Sequence, residues 1–376
     1  MPTGVPPQDW PVTTYVSQCP PAADGAASRR INLYPAGSAG QALRRFLARY
    51  GRLGQGNIAG RFLARAIRTW KPDIIQAIGI RYAAYFTHHV RTAFGVGHIG
   101  RFVVQDWGPD LTMDRLLEEY RPRIRAILQA CDGYLSDNAY NLDVAVSLGL
   151  RSDRLAPAGP VLASGGIDAA VLGRSAAVGP SRRERIVLWP KAYNCPQAVA
   201  YPVFEAFKLC WDRIQPCALR LTAVCQEEVR LWFAALPEAI RARSVLEGRI
   251  DRRTFLGALG QSRVMLAPTM SDGMPNVLPE AMAMGAVPIV SPLPSITAHF
   301  GEENTLFARN LYPHEIADAL VTAMTDDDRA EAMARANVRR LASGLFDRAA
   351  TRERMLAYYR DLAGACGVRR TRAPAV

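Results

Sequence analysis

Val264-Met265-Leu266-Ala267, then Pro268-Thr269-Met270-Ser271-Asp272-Gly273-Met274-Pro275-Asn276, then Val277-Leu278-Pro279-Glu280-Ala281-Met282-Ala283-Met284-Gly285, then Val287-Pro288-Ile289-Val290 reads as strand, loop, helix and strand. The two outer runs are short and apolar throughout, as in strands covered on both faces of a parallel sheet. Gly273 and Pro275 shape the loop, Asn276 is a candidate helix cap, and Gly285 ends the helix. Such a junction lies outside the carboxyl ends of the strands, where open α/β sheets hold ligands. The exposed N–H groups at the start of the helix suit an anionic diphosphate. Asp272 and Glu280 bracket the loop, and as carboxylates they suit sugar or ribose hydroxyls rather than phosphates. An ordinary turn before a helix would account for Gly273, Pro275 and Asn276. It would not account for two acids so placed.

The same grammar extends in both directions. Upstream, strands are expected at Asp73 to Ile78, Arg101 to Gln105 and Gly133 to Ser136. Helices are expected at Ile58 to Trp70, Arg81 to Phe94, Thr112 to Cys131 and Ala139 to Leu148. Before them come a Pro- and Ala-rich start, short strands at Val12 to Ser17 and Arg30 to Tyr34, and a helix at Gln41 to Tyr50. Ala156 to Pro180 is rich in Gly and Pro and reads as a hinge. A second cycle follows, with strands at Arg185 to Trp189, Ala218 to Cys225 and Ser244 to Gly248 and helices at Ala198 to Cys210, Glu227 to Leu236 and Arg252 to Leu259. Helices at Glu315 to Met324, Arg329 to Ala342 and Arg348 to Leu362 close the chain. The expected class is α/β, with parallel sheets and crossover helices in two doubly wound units.

Composition bounds the partners. The chain has 376 residues, 49% hydrophobic and 21% charged, enough for two ordinary cores and unlike a disordered or fibrous chain. It has no apolar run long enough for a membrane span and no visible secretory signal, so a cytoplasmic protein is expected. Seven cysteines without paired spacing make neither a disulfide framework nor a zinc site. The net charge of +12 rests on arginine, the only lysines being Lys71, Lys191 and Lys208. The surplus favours anionic partners such as nucleotides, and is compatible with peripheral contact at the acidic inner face of a membrane. No finger spacing or RNA-binding aromatic motif points to nucleic acid. A basic helix spanning Arg44 to Arg68 fits an ordinary crossover better than a membrane-surface helix. Gly51 to Gly60 lacks the dinucleotide fingerprint, no phosphate-loop lysine motif or hydrolase elbow occurs, and His88 and His89 read as packing or surface residues.

Ser271 to Gly285, continuing to Pro288-Ile289-Val290-Ser291, resembles the signature of retaining glycosyltransferases of the large family-four clan. These have the GT-B fold: two Rossmann-like doubly wound domains facing across a cleft. The resemblance implies that Asp272 contacts the transferred sugar and Glu280 the nucleotide ribose. Gly273, Met274, Pro275, Asn276 and Val277 would form the wall between them. Asp272-Gly273 stands where the family commonly has Glu-Gly. Lys191, after Leu188-Trp189-Pro190, matches one of the family's two diphosphate-facing cations; Cys195-Pro196-Gln197 stands where the second would be. Val103 to Asp110 looks like the family's first-domain strand and loop, making Asp110 a candidate contact to acceptor or sugar, with helix capping as its plainer role. Gly165-Gly166-Ile167-Asp168 resembles the interdomain crossing, where Gly166 would approach ligand and Asp168 would have a structural task.

The resemblance implies an acceptor domain over 1–165, a donor domain over 166–345, and a closing helix and tail over 346–376. It implies retaining transfer from a nucleotide diphosphate sugar to a hydroxyl acceptor, with no other cofactor and no metal. A phosphorylase or synthase of the same fold, or a non-catalytic nucleotide-sugar-binding scaffold, stay open as alternatives. The family's opening strand and Gly-rich loop have no convincing match; Tyr34 to Gly40 is the nearest candidate.

Overall fold

Alternating side chains on each short strand face opposite ways, and this splits the core into layers on either side of two sheets. The computed structural model describes residues 55–168, 178–344 and 346–370. The expected elements at Val12 to Ser17, Arg30 to Tyr34 and Gln41 to Tyr50, and the Tyr34 to Gly40 loop, lie outside the described residues.

Among the described residues, β1 (Ile74–Ile78), β2 (Arg101–Gln105) and β3 (Gly133–Leu135) form one parallel sheet in sequential order. Phe102 and Val104 face a cluster with Ile80, Leu111, Ile124 and Ile127, while Val103 and Leu135 face Ala156, Val161 and Tyr358. Tyr358 belongs to the last helix, Arg348–Arg370, which returns to cover the first sheet. The helix Gln55–Trp70 buries Leu63, Ala64 and Ile67 with Val90 and Val96, an ordinary crossover packing. No helix among the described residues is long and apolar enough to cross a membrane.

The second sheet contains β4 (Glu184–Trp189), β5 (Ala218–Leu221), β6 (Ser244–Leu246), β7 (Ser262–Ala267), β8 (Val287–Val290) and β9 (Leu306–Phe307). Its order is β6-β5-β4-β7-β8-β9, with parallel pairing throughout. The chain therefore winds one way from β4 and the other way from β7, so the topological switch point lies between these two strands. Val187, Val264 and Ile289 pack on one face, with Trp189 meeting Phe204 edge-on at 5.2 Å. Leu188, Met265 and Val290 pack on the other face, against Leu278 and Met282 of the helix Val277–Met284. Every residue of β7 and β8 is buried, as the apolar runs Val264–Ala267 and Val287–Val290 require. The two polar residues that open β7, Ser262 and Arg263, are buried too; Arg263 Nε donates to Ala323 O at 2.8 Å while Nη2 reaches Asp327.

Several expected elements are revised. Thr112 to Cys131 is not one helix: a turn at Pro109–Thr112 and a 3-10 turn at Asp114–Leu116 precede the helix Arg121–Ala130. Pro122 starts that helix because its missing N–H is harmless only in a first turn. Arg81 to Phe94 divides into a π-helical stretch, Ile80–Ala84, and the helix Tyr85–Ala93. The helix expected from Ala198 begins at Tyr201, again with a proline in its first turn. The strand expected through Cys225 ends at Leu221, since Ala223 turns to a positive φ of 63°. Strand β9 and the short helix Pro294–Thr297 were not anticipated, being too short to show periodicity.

Gly133 accommodates the closing helix: a Cβ there would collide with the Tyr358 hydroxyl, which is buried without a hydrogen-bond partner. Gly133→Ala is expected to lower stability by about 1–3 kcal/mol in denaturant unfolding. Tyr358→Phe in that background is expected to restore part of the loss, and additive effects would contradict this packing.

Candidate active site

Lys191 lies just beyond β4, and Asp272 lies in the loop beyond β7, so neighbouring parallel strands deliver them to the switch point. Lys191 Nζ donates to Asp272 Oδ2 in an ion pair whose side chains are 16% and 22% exposed. Burial works against the ammonium charge, but Asp272 outweighs it, with Tyr193 adding to the effect, and the lysine pKa rises. The loop that carries Asp272 is tied on several sides. Gln197 O accepts from the N–H groups of Met270 at 2.7 Å and Ser271 at 3.2 Å. Ser295 Oγ donates to Asp272 O at 2.8 Å, and Ser291 Oγ accepts the Thr269 N–H at 3.0 Å. Thus Gln197, where a second cation was sought, contributes a backbone brace.

Asn276 is not a side-chain cap. Its backbone is already helical, and its Oδ1 accepts the Ser164 N–H at 3.2 Å, joining the crossing segment to the helix Val277–Met284. Gly273, Met274 and Pro275 lie in the loop before it, and Met274 is buried. Glu280, one turn into the helix, is 3% exposed and bonded at 2.5 Å to Arg252 Nη1. Burial raises its carboxyl pKa, against the opposing pull of Arg252 and Arg348. Asp251 aims Arg252 by capping the helix Arg252–Gln261, its Oδ1 accepting the N–H groups of Arg253 and Thr254. At Gly166, where the resemblance expects approach to ligand, φ is 106° and any Cβ would strike Phe346 O, so the backbone packing itself requires glycine. Its carbonyl accepts from Arg348 Nη2 at 3.0 Å.

The first domain meets this loop closely. Gly108, at φ 26°, rests against the Asp272–Gly273 peptide, and no side chain fits between them. Thr112 Oγ1 and Ser271 Oγ share a hydrogen bond of 2.5 Å, and the Ala139 N–H donates to His299 Nε2 at 3.0 Å. Burial, then Arg340, lower the His299 pKa, which keeps that nitrogen an acceptor. Asp110 accepts from the N–H groups of Ile80 at 2.7 Å, Arg81 at 3.2 Å and Trp107 at 3.3 Å. It therefore caps, as the plainer reading held, but the capped segment is Ile80–Ala84, which precedes it. A cavity of about 110 Å³ remains between the domains, lined by Thr112, Tyr140, Met270, Ser271, Asp272, Leu293 and Pro294.

Two further carboxylates at this junction carried no signal in the motif. Asp106, at the end of β2, is fully buried and accepts from Asn141 Nδ2 at 2.6 Å. Asp137, after β3, accepts from Asn138 Nδ2 at 2.7 Å and lies where a Cβ on Gly273 would be. Burial, then their mutual repulsion, raise Asp137 well above an ordinary carboxylate; burial chiefly lifts Asp106, to about 7. Ser136-Asp137-Asn138 directly after a strand, with Asn138 capping the next helix, was the available sequence clue. Among the described residues, no group of three or more His, Cys, Asp or Glu is placed to hold a metal ion.

Between about pH 4 and 7 the native state keeps an Asp106 proton that the unfolded chain has released, so this group's contribution to stability falls as pH rises through that window. Asp106→Asn is expected to remove about one proton's worth of that slope in denaturant unfolding across the window. Parallel stability curves for the variant and the parent would contradict the assignment.

Residues 196–326 match the family described as "Glycosyl transferases group 1". No curated protein sequence matches the chain. Its fold is similar to α,α-trehalose 6-phosphate synthase from Burkholderia multivorans, with TM-score 0.63 and 16% identity over 82% of this chain and 76% of the other. Sucrose-phosphate synthase from Thermosynechococcus elongatus is similar at TM-score 0.62 and 15% identity, over 84% and 80%. HepE from Anabaena, in complex with UDP, is similar at TM-score 0.60 and 13% identity, over 85% and 89%. Residues 196–326 thus resemble the glycosyl transferases group 1 family, within a chain that has the GT-B fold.

Proposed function

We propose that the protein is a retaining glycosyltransferase that moves a sugar from a nucleotide diphosphate sugar to a hydroxyl acceptor. The observation that carries this reading is the meeting of Lys191 and Asp272 across the switch point, with Asp272 lining the interdomain cavity. An arriving diphosphate competes with Asp272 for the Lys191 ammonium. That exchange puts the cation beside the charge that grows as the sugar departs, and frees the Asp272 carboxylate for a sugar hydroxyl. Glu280 with Arg252 takes the ribose end, and the loop Gly273 to Val277 is the wall between. The three HepE and synthase likenesses support the fold, while HepE has also been seen with UDP-glucose, a donor of this class.

In the proposed step the bond from the anomeric carbon to the diphosphate oxygen breaks, and the acceptor oxygen bonds to that carbon on the same face. The acceptor proton passes to the departing diphosphate oxygen. The cavity, at about 110 Å³, is smaller than the roughly 300 Å³ at which small-molecule sites begin, so donor entry requires the Thr112–Ser271 and Gly108–Gly273 contacts to part. Reclosure then excludes water from the reacting sugar. Gly166 and Asp110 hold the walls of this site in place, and the first domain supplies the acceptor side.

Lys191→Ala is expected to reduce nucleoside diphosphate release from the cognate donor by about 10²–10³-fold, the scale for losing one donor to a developing oxyanion. A reduction of only a few fold would place the cation elsewhere. Proton NMR of the glycosidic product is expected to show the donor's anomeric configuration; the opposite configuration would rule out the retaining step.

A further inference from the structure

Ala139 N–H, in the first domain, donates to His299 Nε2, in the second, at 3.0 Å. Ala139 opens the helix Ala139–Ser147, and the first N–H groups of a helix have no partner within it. His299 supplies what that helix end lacks, and an imidazole nitrogen accepts only while it carries no proton. The ring is half-buried against Phe300 and Phe346, with centroids at 6.4 and 6.0 Å. Its polar neighbours oppose a positive charge there. The helix Ala139–Ser147 presents the positive end of its dipole. Arg340, from the helix Asp327–Ala342, donates to His299 O at 3.1 Å and, after burial, lowers the imidazole pKa. Among the described residues, no carboxylate acts to offset these effects. Asp137 lies two residues before Ala139, but burial and then Asp106 oppose its ionisation. The contact adjoins the cavity on both sides. Tyr140, next to Ala139, lines it, as do Leu293 and Pro294, which lead into the helix Pro294–Thr297 before His299. Ser295 of that helix braces Asp272.

We infer that His299 is an interdomain latch that protonation releases. The imidazolium has no lone pair left at Nε2 for the Ala139 N–H, so two donors then face each other across the junction. Parting the domains returns the ring to water, where histidine has its ordinary pKa of about 6.5. The closed-state value is lower, so the open form binds more protons. The latch is fully engaged above about pH 6.5, and its hold weakens as pH falls through the window below. At about pH 5.5 the closed-to-open ratio is about tenfold below its neutral-pH value from this group alone. Asp137 acts with the opposite sign, because the closed junction favours its protonated form. The inference does not depend on the proposed transfer; it concerns how the cleft opens for whatever ligand it takes.

Amide hydrogen exchange on the full chain, resolved by NMR and divided by the intrinsic rate at each pH, reads the opening directly. Two amides report it: Ala139, and Met274, which is buried facing the Asp137 carboxyl across the same junction. His299→Gln keeps a side-chain oxygen that accepts and cannot gain a proton. The ratio of protection in this variant to protection in the parent is expected to rise about tenfold between about pH 7.5 and 5.5, at both amides. The Asp137 effect is common to the two proteins and cancels in the ratio. His299→Ala is expected to lose protection at both amides at every pH, while amides of β2 and β7 report that each variant is folded. A ratio that stays constant with pH overturns the inference. So does a change confined to Ala139, which makes the contact a local cap, or an Ala139 amide already unprotected in the parent at about pH 7.5. No nucleotide enters the experiment, so its failure leaves the proposed transfer reaction untouched.

Discussion

A lysine ammonium held away from water needs a compensating charge, and at the β4–β7 switch point Asp272 supplies it. That pairing fixes the loop after β7 against the loop after β4. The loop in turn offers Gly273 to the first domain and directs its chain into the helix that carries Glu280. Removing either partner would leave the other charge partly buried and unmatched, so the pair is a structural joint, and under the proposed function it is also where a diphosphate would meet the cation. Its braces, Gln197 O, Ser295 Oγ and Ser291 Oγ, hold the loop from several neighbouring segments.

The interface between the domains obeys a different constraint, that of space. Gly108 meets Gly273 backbone to backbone, and Asp137 fills the volume a Gly273 side chain would need. Asp137, whose carboxyl is raised well above its ordinary range by burial and then by Asp106, therefore lies directly behind the signature loop. The neutral His299 contact at the N-terminus of the helix Ala139–Ser147 adds another proton-sensitive group to the same junction. The cavity is small because this junction is closed, and its polar lining comes from both domains.

The second domain was legible in the sequence because its chemistry is local. The apolar runs Val264–Ala267 and Val287–Val290, the loop with Asp272 and Gly273, and the lysine after β4 each show their place in the fold within a few residues. The Thr112 to Cys131 stretch misled because its apolar spacing continues through Pro122, whereas the backbone cannot. Asn276 looked like a cap by residue type, but the chain crossing at Ser164 claims its carbonyl oxygen. At Gly166 the sequence did not record that the backbone at Phe346 passes beside it. Arg252, Asp106 and Asp137 were missed for one physical reason. Their roles come from tertiary contacts across 28 to more than a hundred residues of chain, and no spacing rule records these.

The central claim is that the Lys191–Asp272 junction receives a nucleoside diphosphate. Calorimetric titration of the purified chain with UDP, GDP, ADP and dTDP, without added metal and beside Lys191→Glu, tests it most directly. The account predicts saturable binding of one diphosphate in preference to the others, weakened in the folded variant. Equal affinity of the parent and the variant, or no binding of any diphosphate to folded protein, would contradict it.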